Sequence, residues 1–279
     1  MTTTPAPVDT LDRAALAERS KRFGAWYVTE HRLRSIRMYV WSMLTMALGT
    51  PLLYLLAFGV GLATLVTGNT GPAGVDGVSY LQFVAPALLV MATVAVASEE
   101  FTFGILLGFK WNPIFVGMNA APLTGRQIID GSFLFVGIRA LVTVGLYFGI
   151  VVLFGGMSGA WVWLTVAVAL LSGFSFSLLA AYSATITEDK GQFAIVQRLI
   201  ILPLTLFSGT FFPLTQLPIF LQWIGWLSPI WHGSELARQV SYGPTEPFWL
   251  TLVHIGYLGA LAIVGWQLCV RIAVRRLDK

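Results

Sequence analysis

The sequence predicts an all-α, polytopic membrane protein with six transmembrane helices. Of its 279 residues, 56% are hydrophobic and 11% are charged, whereas a soluble domain carries about 25% charged residues. The run from Ala140 to Thr187 contains no Asp, Glu, Lys or Arg. Because about 20 apolar helical residues span a bilayer, this run is long enough for two spans, and the Gly-rich turn over residues 155–159 separates them. The protein is therefore integral to a membrane.

The first predicted element is a helix over residues 21–37 that lies in the plane of the lipid headgroups. This segment mixes aromatic residues such as Phe23 and Trp26 with several Lys and Arg residues, which is the composition of an interfacial helix. The alternative is a cytoplasmic helix that extends the first span. Residues 1–20 are predicted to form a disordered cytoplasmic tail, and residues 21–279 a single transmembrane domain.

Six stretches with few or no charges then follow, each long enough for a transmembrane helix. A Gly-rich stretch over residues 67–77 separates the first two spans. In chain order, the predicted spans cover about residues 38–66, 80–98, 127–154, 161–187, 193–212 and 249–270.

The distribution of Lys and Arg predicts which side of the membrane each loop faces, because cytoplasmic loops carry the excess of positive charge. Of the 17 Lys and Arg residues, seven precede the first span and four lie at or after Arg271. Only Arg238 lies on the opposite side. Both termini are therefore predicted to be cytoplasmic. The net charge of +4 fits contact with anionic membrane lipid, and no nucleic-acid binding is predicted.

The loop over residues 99–126 is the longest on the predicted cytoplasmic side. Gly108, Asn112, Pro113 and Pro122 limit it to short helical pieces. Its aromatic side chains leave two interpretations open: they sit in the membrane interface as belt residues, or they form a contact surface for a cytoplasmic partner subunit. These aromatic residues are Phe101, Phe103, Phe109, Trp111 and Phe115.

The segment over residues 209–248 lies on the predicted outer side. Within it, residues 217–227 are apolar but too few to span a bilayer. Three prolines interrupt the segment, and three tryptophans give it the composition of the membrane surface. We therefore predict a re-entrant helical hairpin that dips into the outer leaflet. These residues are Pro213, Pro218, Pro229, Trp223, Trp226 and Trp231.

The sequence carries no signature of catalysis. The phosphate-binding pattern Gly-x-x-x-x-Gly-Lys-Ser/Thr is absent, so ATP hydrolysis would need a separate chain. His232 and Glu235 share a helical face, but zinc takes three or four ligands and no third candidate is near in sequence. Glu235 and Arg238 are predicted to form a local ion pair. His254 lies inside the sixth span, where a hydrogen bond to a neighbouring helix is expected.

Arg139 is the charged residue predicted nearest the middle of a span, where a charge costs roughly 2.5 to 3.5 kcal/mol. Glu99 and Glu100, at the cytoplasmic end of the second span, are the nearest acidic partners in the predicted topology. Two interpretations stay open. Arg139 reaches the cytoplasmic headgroups and is structural, or it forms a latch inside the bundle that can rearrange.

Two further features concern helix shape and packing. Pro86 in the second span and Pro203 in the fifth predict kinks, although proline is also common in membrane helices for structural reasons. Gly145 and Gly149 lie on one face of the third span and allow a close approach of another helix.

A resemblance to a known family is carried by residues 206–238. Their sequence is similar to the end of the fifth span and the outer hairpin of type-2 ATP-binding-cassette exporter permeases, in the branch of nodulation-factor, polysaccharide and drug-export permeases. The matching residues are Ser208 to Pro213 (SGTFFP), Leu217-Pro218, Ser228-Pro229 and Glu235 to Arg238 (ELAR), with support from Pro51 to Tyr54, Phe58 to Leu62, Phe83 to Pro86 and Ala120 to Leu123.

The resemblance implies a permease domain in the cytoplasmic (plasma) membrane of a bacterium, with a coupling helix between the second and third spans. Two such chains, identical or different, would pair. Cytoplasmic ATP-binding-cassette ATPases would bind the coupling helices and would hold ATP and Mg, while this chain would hold no cofactor. The residues implied to contact the ATPase are Lys110, Trp111, Asn112, Pro113, Ile114, Phe115, Pro122 and Leu123.

The leading hypothesis is therefore the permease subunit of an exporter that moves an amphipathic or lipid-linked substrate outward, such as a glycolipid, a polysaccharide or a hydrophobic drug. The second and fifth spans would line its path, with Pro86, Phe207, Phe211 and Phe212 as contacts. The alternative is an ion-coupled secondary transporter, although such carriers usually keep an acidic group at mid-membrane. A membrane-embedded enzyme would need a His or carboxylate cluster that the sequence does not indicate.

Overall fold

The computed structural model describes residues 10–37, 40–62, 74–188, 190–244 and 246–278. Within these ranges the chain is built from helices, and the only β-pairing is an isolated bridge between Val75 and Val78. The predicted all-α class is confirmed. The helices are α1 Thr10–Ile36, α2 Val40–Tyr54 with a π-helical extension Leu55–Leu62, α3 Tyr80–Trp111, α4 Ile114–Asn119, α5 Gly125–Leu153, α6 Leu164–Thr185, α7 Gln192–Leu206, α8 Ile219–Leu227, α9 Pro229–Tyr242 and α10 Phe248–Leu277.

Four helices of the described part are long and apolar enough to cross a membrane, namely α3, α5, α6 and α10. They correspond to the predicted second, third, fourth and sixth spans. The first span corresponds to α2 with its π-helical extension, and the fifth to the shorter apolar helix α7. The polytopic character of the protein is confirmed, while the count of six spans stays a prediction.

Helix α3 is longer than the sequence indicated. A capping box between Ser79 and Gln82 starts it, and it continues to Trp111 instead of ending near residue 98. The prediction that residues 99–126 hold only short helical pieces is therefore wrong for residues 99–111. Two π-helical turns carry the helix through this glycine-containing stretch. The helix stops only where Asn112 takes φ −139°, since Pro113 follows it and disfavours the helical conformation.

Helix α1 also differs from the prediction. It begins at Thr10, so residues 10–20 are helical and not a disordered tail; residues 1–9 lie outside the described ranges. The sequence Ala-Ala-Leu-Ala-Glu over residues 14–18 consists of strong helix formers, which accounts for the extension. The helix packs along the start of α5, where Thr29 Oγ1 donates to the Gly131 carbonyl oxygen at 2.9 Å.

The segment over residues 209–248, predicted to lie on the outer side, holds the two helices α8 and α9 before the start of α10; its insertion into the outer leaflet stays a prediction. Helix α7 ends earlier than the predicted fifth span. It stops at Leu206, and Gly209 adopts the left-handed φ of +68° in the turn that follows. Phe207, Phe211 and Phe212 therefore lie in this turn and not on a transmembrane helix.

Helix α3 forms the centre of the fold. In its most apolar stretch, 78% of the residues are buried within the chain, compared with 17% in α10. It contacts α5, α6 and α9 directly, while α10 packs mainly on α6. Because α3 leads straight into residues 110–123, that segment is joined directly to the central helix of the bundle.

Close helix packing occurs at other glycines than the pair predicted in α5. A Cβ atom added to Gly145 or Gly149 would meet nothing within 4 Å, so no helix in the described part of the chain approaches them closely. Gly265 of α10 instead lies against Ser177 and Leu178 of α6. There Ser177 Oγ donates to the Ala262 carbonyl oxygen at 2.9 Å.

Replacing Gly265 with valine should therefore separate α6 from α10. A Cβ would meet the backbone nitrogen of Leu178, which cannot move aside cheaply, and overpacking of this kind costs about 1 to 3 kcal/mol. We expect a lower thermal unfolding temperature in detergent. The matched control is Gly256→Val on the same helix, where an added Cβ meets open space. Equal effects of the two substitutions would contradict the close contact at Gly265.

Candidate functional site

The segment over residues 110–123, which we call the coupling segment, connects α3 to α5. Lys110 and Trp111 end α3, Ile114 and Phe115 begin the short helix α4, and Pro122 and Leu123 lie in the turn before α5. Exposed residues form its outward surface: Trp111, Asn112, Pro113, Val116, Gly117, Ala120, Ala121 and Pro122.

Three contacts fix the inner side of the coupling segment. Phe115 is buried and packs edge-on against Phe109, with 5.1 Å between ring centroids. Lys110 Nζ donates to the Thr187 carbonyl oxygen at 2.9 Å. Asn119 Nδ2 donates to the Leu277 carbonyl oxygen at 3.1 Å. The segment is thus fastened to the end of α10 and to the chain just after α6, while its other surface is exposed.

An ionic cluster lies beside the coupling segment and joins α1, α3 and α5. Glu100 accepts hydrogen bonds from Arg139 Nη1 and from Arg32 Nη2, the latter at 2.7 Å. Arg139 Nη2 also binds Glu99 at 3.0 Å. The side chains of Arg139 and Glu100 are only 9% and 10% exposed, whereas Glu99 is 55% exposed. The structure thus brings together Arg139, Glu99 and Glu100.

Arg32 is the member of this cluster that the sequence did not identify. Its guanidinium also lies over the Phe135 ring, 4.1 Å from the centroid. Burial lowers the pKa of Arg32, and the neighbouring Glu100 carboxylate opposes that shift. In the sequence Arg32 is one of several basic residues before the first span, so charge alone gave no reason to single it out.

A cavity of about 430 Å³ lies between α3 and α7. Its wall is mostly apolar, with Glu99 and Arg198 at one end. The predicted path between the second and fifth spans corresponds to the two helices that line it. However, the four predicted contact residues, which are Pro86, Phe207, Phe211 and Phe212, are absent from its described lining.

Those four residues lie elsewhere, one in α3 and three in the turn after α7. Pro86 is buried in α3. Phe211 packs against Tyr54 and Phe58, with 4.6 Å between the Phe58 and Phe211 centroids, and its carbonyl oxygen accepts from Tyr80 Oη at 3.0 Å. The early end of α7 explains this placement, because it removes the phenylalanines from the helix that lines the cavity.

Arg238 makes several contacts besides the predicted ion pair with Glu235. It does bind Glu235 at 2.7 Å, as predicted from their spacing. The side chain is only 1% exposed, however, and it also donates to the carbonyl oxygens of Phe83, Gly209 and Thr210. Its guanidinium lies 3.8 Å from the centroid of the Phe83 ring. Arg238 therefore connects α9 to α3 and to the turn after α7.

The two buried histidines contact each other. His232 Nδ1 lies 2.6 Å from His254 Nδ1, and His254 Nε2 lies 3.0 Å from a carboxylate oxygen of Glu246. His232 Nε2 lies 2.9 Å from the Trp226 carbonyl oxygen. Burial lowers the pKa of His232, which is on α9 and outside the four long apolar helices, to about 4. The predicted hydrogen bond between His254 and another helix is present.

Comparisons with known proteins identify the family of this chain. The profile of the family described as "ABC-2 type transporter" matches residues 30–242. Nodulation protein J of Rhizobium leguminosarum bv. viciae is 28% identical over 82% of this chain and 86% of its own length. The inner membrane transport permease YadH of Escherichia coli (strain K12) is 28% identical over 88% of this chain and 93% of its own length. No solved structure matches significantly. The chain belongs to the ABC-2 type transporter family and is a membrane-spanning permease of that family.

Proposed function

We propose that this chain is the permease subunit of an ATP-binding-cassette exporter in the cytoplasmic membrane of a bacterium, with both termini in the cytoplasm. A separate cytoplasmic ATPase, which holds ATP and Mg, drives the outward movement of an amphipathic or lipid-linked substrate. The single observation that carries the proposal is the coupling segment, whose outward surface is exposed while its inner side is fixed to the bundle.

The anchoring of the coupling segment gives a route for mechanical coupling. A force applied by the ATPase on Trp111 or Val116 acts on a segment that is continuous with α3. Helix α3 is also one wall of the cavity against α7. Closure of the ATPase pair would thus change the shape of this cavity directly, without an intervening flexible loop.

The cavity between α3 and α7 supports the proposed substrate class. An apolar wall accepts an acyl or polyprenyl chain, since burial of apolar surface is favourable. Glu99 and Arg198 at one end offer partners to a polar headgroup. Such a combination suits an amphipathic molecule better than a hydrophilic solute.

A second permease chain would complete the transporter. Helix α7 exposes large apolar side chains, among them Leu199 at 72%, and α2 exposes Trp41 and Leu53. Membrane lipid or a second chain can cover such surfaces. We propose that the second chain, identical or related, packs on α2 and α7, with lipid around the remaining helices.

The proposal is tested by expressing the chain with and without a candidate ATP-binding-cassette ATPase, sought first as a protein with the Gly-x-x-x-x-Gly-Lys-Ser/Thr pattern in the neighbouring reading frame. We expect the two to co-purify, and we expect ATP hydrolysis only from the complex in proteoliposomes. Transport of a fluorescent lipid-linked glycan should require both chains and ATP. Hydrolysis by the isolated permease, or substrate movement that follows an ion gradient without ATP, would overturn the proposal.

A substitution on the coupling segment tests the docking surface itself. Val116 is exposed on α4, and a carboxylate there would be desolvated without a partner in an apolar interface. We expect Val116→Asp to weaken ATPase binding about tenfold, which equals roughly 1.4 kcal/mol, with an unchanged unfolding temperature. Co-purification yield and titration with the ATPase measure this effect.

Two control variants separate binding from folding. Val116→Thr keeps the size and neutrality of the side chain and should bind the ATPase as the natural protein does. Phe115→Ala removes the buried anchor on the other side of α4 and should lower the unfolding temperature as well. If Val116→Asp bound the ATPase normally, this surface would not be the docking site.

A further inference from the structure

A continuous hydrogen-bonded chain runs through the outer hairpin. It starts at the Trp226 carbonyl oxygen, passes through the rings of His232 and His254, and ends at a carboxylate oxygen of Glu246, with successive distances of 2.9, 2.6 and 3.0 Å. These residues belong to α8, α9, α10 and the loop between α9 and α10. This chain of hydrogen bonds therefore connects three helices at the predicted outer face.

Counting protons shows that this chain of hydrogen bonds is incomplete with neutral histidines. Each of its three hydrogen bonds needs one proton. The Trp226 carbonyl and the Glu246 carboxylate bring none, and each neutral imidazole brings one. Two neutral rings thus supply two protons for three bonds. All three bonds form only when one additional proton is bound.

A metal ion cannot take the place of that proton between the rings. Two nitrogen ligands of one zinc, each at about 2.0 to 2.1 Å in tetrahedral geometry, lie about 3.3 Å apart. The two Nδ1 atoms are only 2.6 Å apart, which is a hydrogen-bond distance.

We propose that His232, His254 and Glu246 form a proton-binding site that fastens the outer hairpin to α10. In the bound state His232 donates to Trp226 through Nε2, His254 donates to His232 through Nδ1, and His254 donates to Glu246 through Nε2. The bound proton makes His254 an imidazolium that pairs with the Glu246 carboxylate. The proposal does not depend on the ATPase or on the transported substrate.

The neighbours of Glu246 favour this arrangement. Thr251 Oγ1 donates to Gln239 Oε1 at 2.7 Å, which fixes the amide so that Gln239 Nε2 donates to the same Glu246 oxygen at 3.1 Å. That oxygen thus accepts two hydrogen bonds, as a carboxylate oxygen does.

The other ionisable groups near the site are accounted for. Glu235 on α9 is paired with Arg238; it also interacts through space with Glu246 and, more weakly, with Asp76 on the loop before α3. Tyr257 of α10 packs on the His232 ring, 4.3 Å between centroids, and donates to the Leu227 carbonyl oxygen. No further cation of the described residues is hydrogen-bonded to Glu246.

The site can exchange its proton with the outer solution. The His254 side chain is fully buried, but Glu246 is 22% exposed and provides the entry. A proton bound only in the folded arrangement stabilises that arrangement at low pH, and this contribution is lost as the pH rises and the site empties. The bond from Tyr257 to Leu227 needs no such proton, so alkaline pH should loosen the hairpin without releasing it.

Replacing Glu246 with glutamine should make the formation of these three hydrogen bonds independent of pH. The amide nitrogen of Glu246→Gln can donate one N–H to His254 Nε2 and the other to Gln239 Oε1, provided that the Gln239 amide turns over and donates through Nε2 to the Thr251 hydroxyl. The third hydrogen bond then no longer needs a bound proton. We expect the unfolding temperature of the natural protein in nanodiscs to fall as the pH rises from about 5 to about 8, and that of Glu246→Gln to change less. His31→Gln, at an exposed position on α1, is the control and should keep the natural pH dependence.

Nuclear magnetic resonance of ¹⁵N-histidine in the His31→Gln background tests the proton count directly, whether or not Glu246→Gln is stable. At about pH 5 we expect three protonated ring nitrogens among the four of His232 and His254, with scalar coupling between the two Nδ1 atoms across their hydrogen bond. Glu246→Gln should show two protonated ring nitrogens at the same pH. Two protonated nitrogens in the natural protein throughout that pH range, or no coupling between the Nδ1 atoms, would overturn the proposal.

Discussion

Arg238→Met is expected to destabilise the protein by about 3 to 5 kcal/mol, the cost of removing one partner from a buried ion pair. The substitution keeps most of the side-chain length but removes every donor. The carbonyl oxygens of Gly209 and Thr210 then lose the Arg238 guanidinium as hydrogen-bond donor. Glu235 also becomes a carboxylate without a cation next to it. Denaturant unfolding in mixed micelles measures the loss.

Most of this loss of stability should arise from the Glu235 carboxylate, which no longer has a cation beside it. Burial already raises the pKa of Glu235, and the Arg238 charge opposes that shift. Without Arg238, Glu235 would be more stable in its protonated form. The double variant Arg238→Met with Glu235→Gln should therefore recover part of the lost free energy of unfolding.

Arg34→Met is the matched control. Arg34 also binds a glutamate on its own helix, Glu30 at 2.5 Å, but its side chain is 79% exposed. A pair of this kind contributes about 0.3 to 0.5 kcal/mol. If Arg238→Met cost no more than Arg34→Met, the connection from α9 to α3 would not stabilise the fold.

The contrast between these two arginines shows what sequence spacing can and cannot predict. Both lie within one helical turn of a glutamate, and both pairs form. The spacing predicts the pair correctly because helix geometry is local. It carries no information on burial, which depends on the Phe83 ring and on the turn after α7, regions distant in sequence.

The helices likewise show which features the sequence can predict and which it cannot. The uncharged run from Ala140 to Thr187 predicted parts of α5 and α6 closely, because exclusion of charge from lipid is a strong constraint on composition. Beyond Ser98 the apolar run ends, so the composition gave no sign that α3 continues. Its continuation to Trp111 through π-helical turns was therefore not predicted. The substrate path along the second and fifth spans stays a prediction; a cavity lies between the corresponding helices α3 and α7, but α7 ends too early for the predicted phenylalanines to line it.

Glu100→Gln should have a much larger effect than Glu99→Gln, although the two glutamates are adjacent and both bind Arg139. Glu100 is buried and also holds Arg32, so loss of its charge leaves two guanidinium groups poorly compensated. Glutamine retains a hydrogen-bond acceptor, so we expect a cost near the lower end of the range for broken buried pairs, about 3 kcal/mol. Glu99→Gln, at the exposed position, should lower the free energy of unfolding by less than about 1 kcal/mol.

This pair of variants also tests the first of the two roles left open for Arg139, contact with the lipid headgroups. If Arg139 reached the lipid headgroups, phosphates would compensate its charge, and both substitutions would have small and similar effects on the unfolding free energy. If it holds α5 to α3 through Glu100, only Glu100→Gln should destabilise the protein, and α1 should become more accessible because Arg32 loses the same partner. Proteolysis within α1, measured beside the unfolding curves of both variants, separates the two outcomes, since the headgroup interpretation predicts no change there.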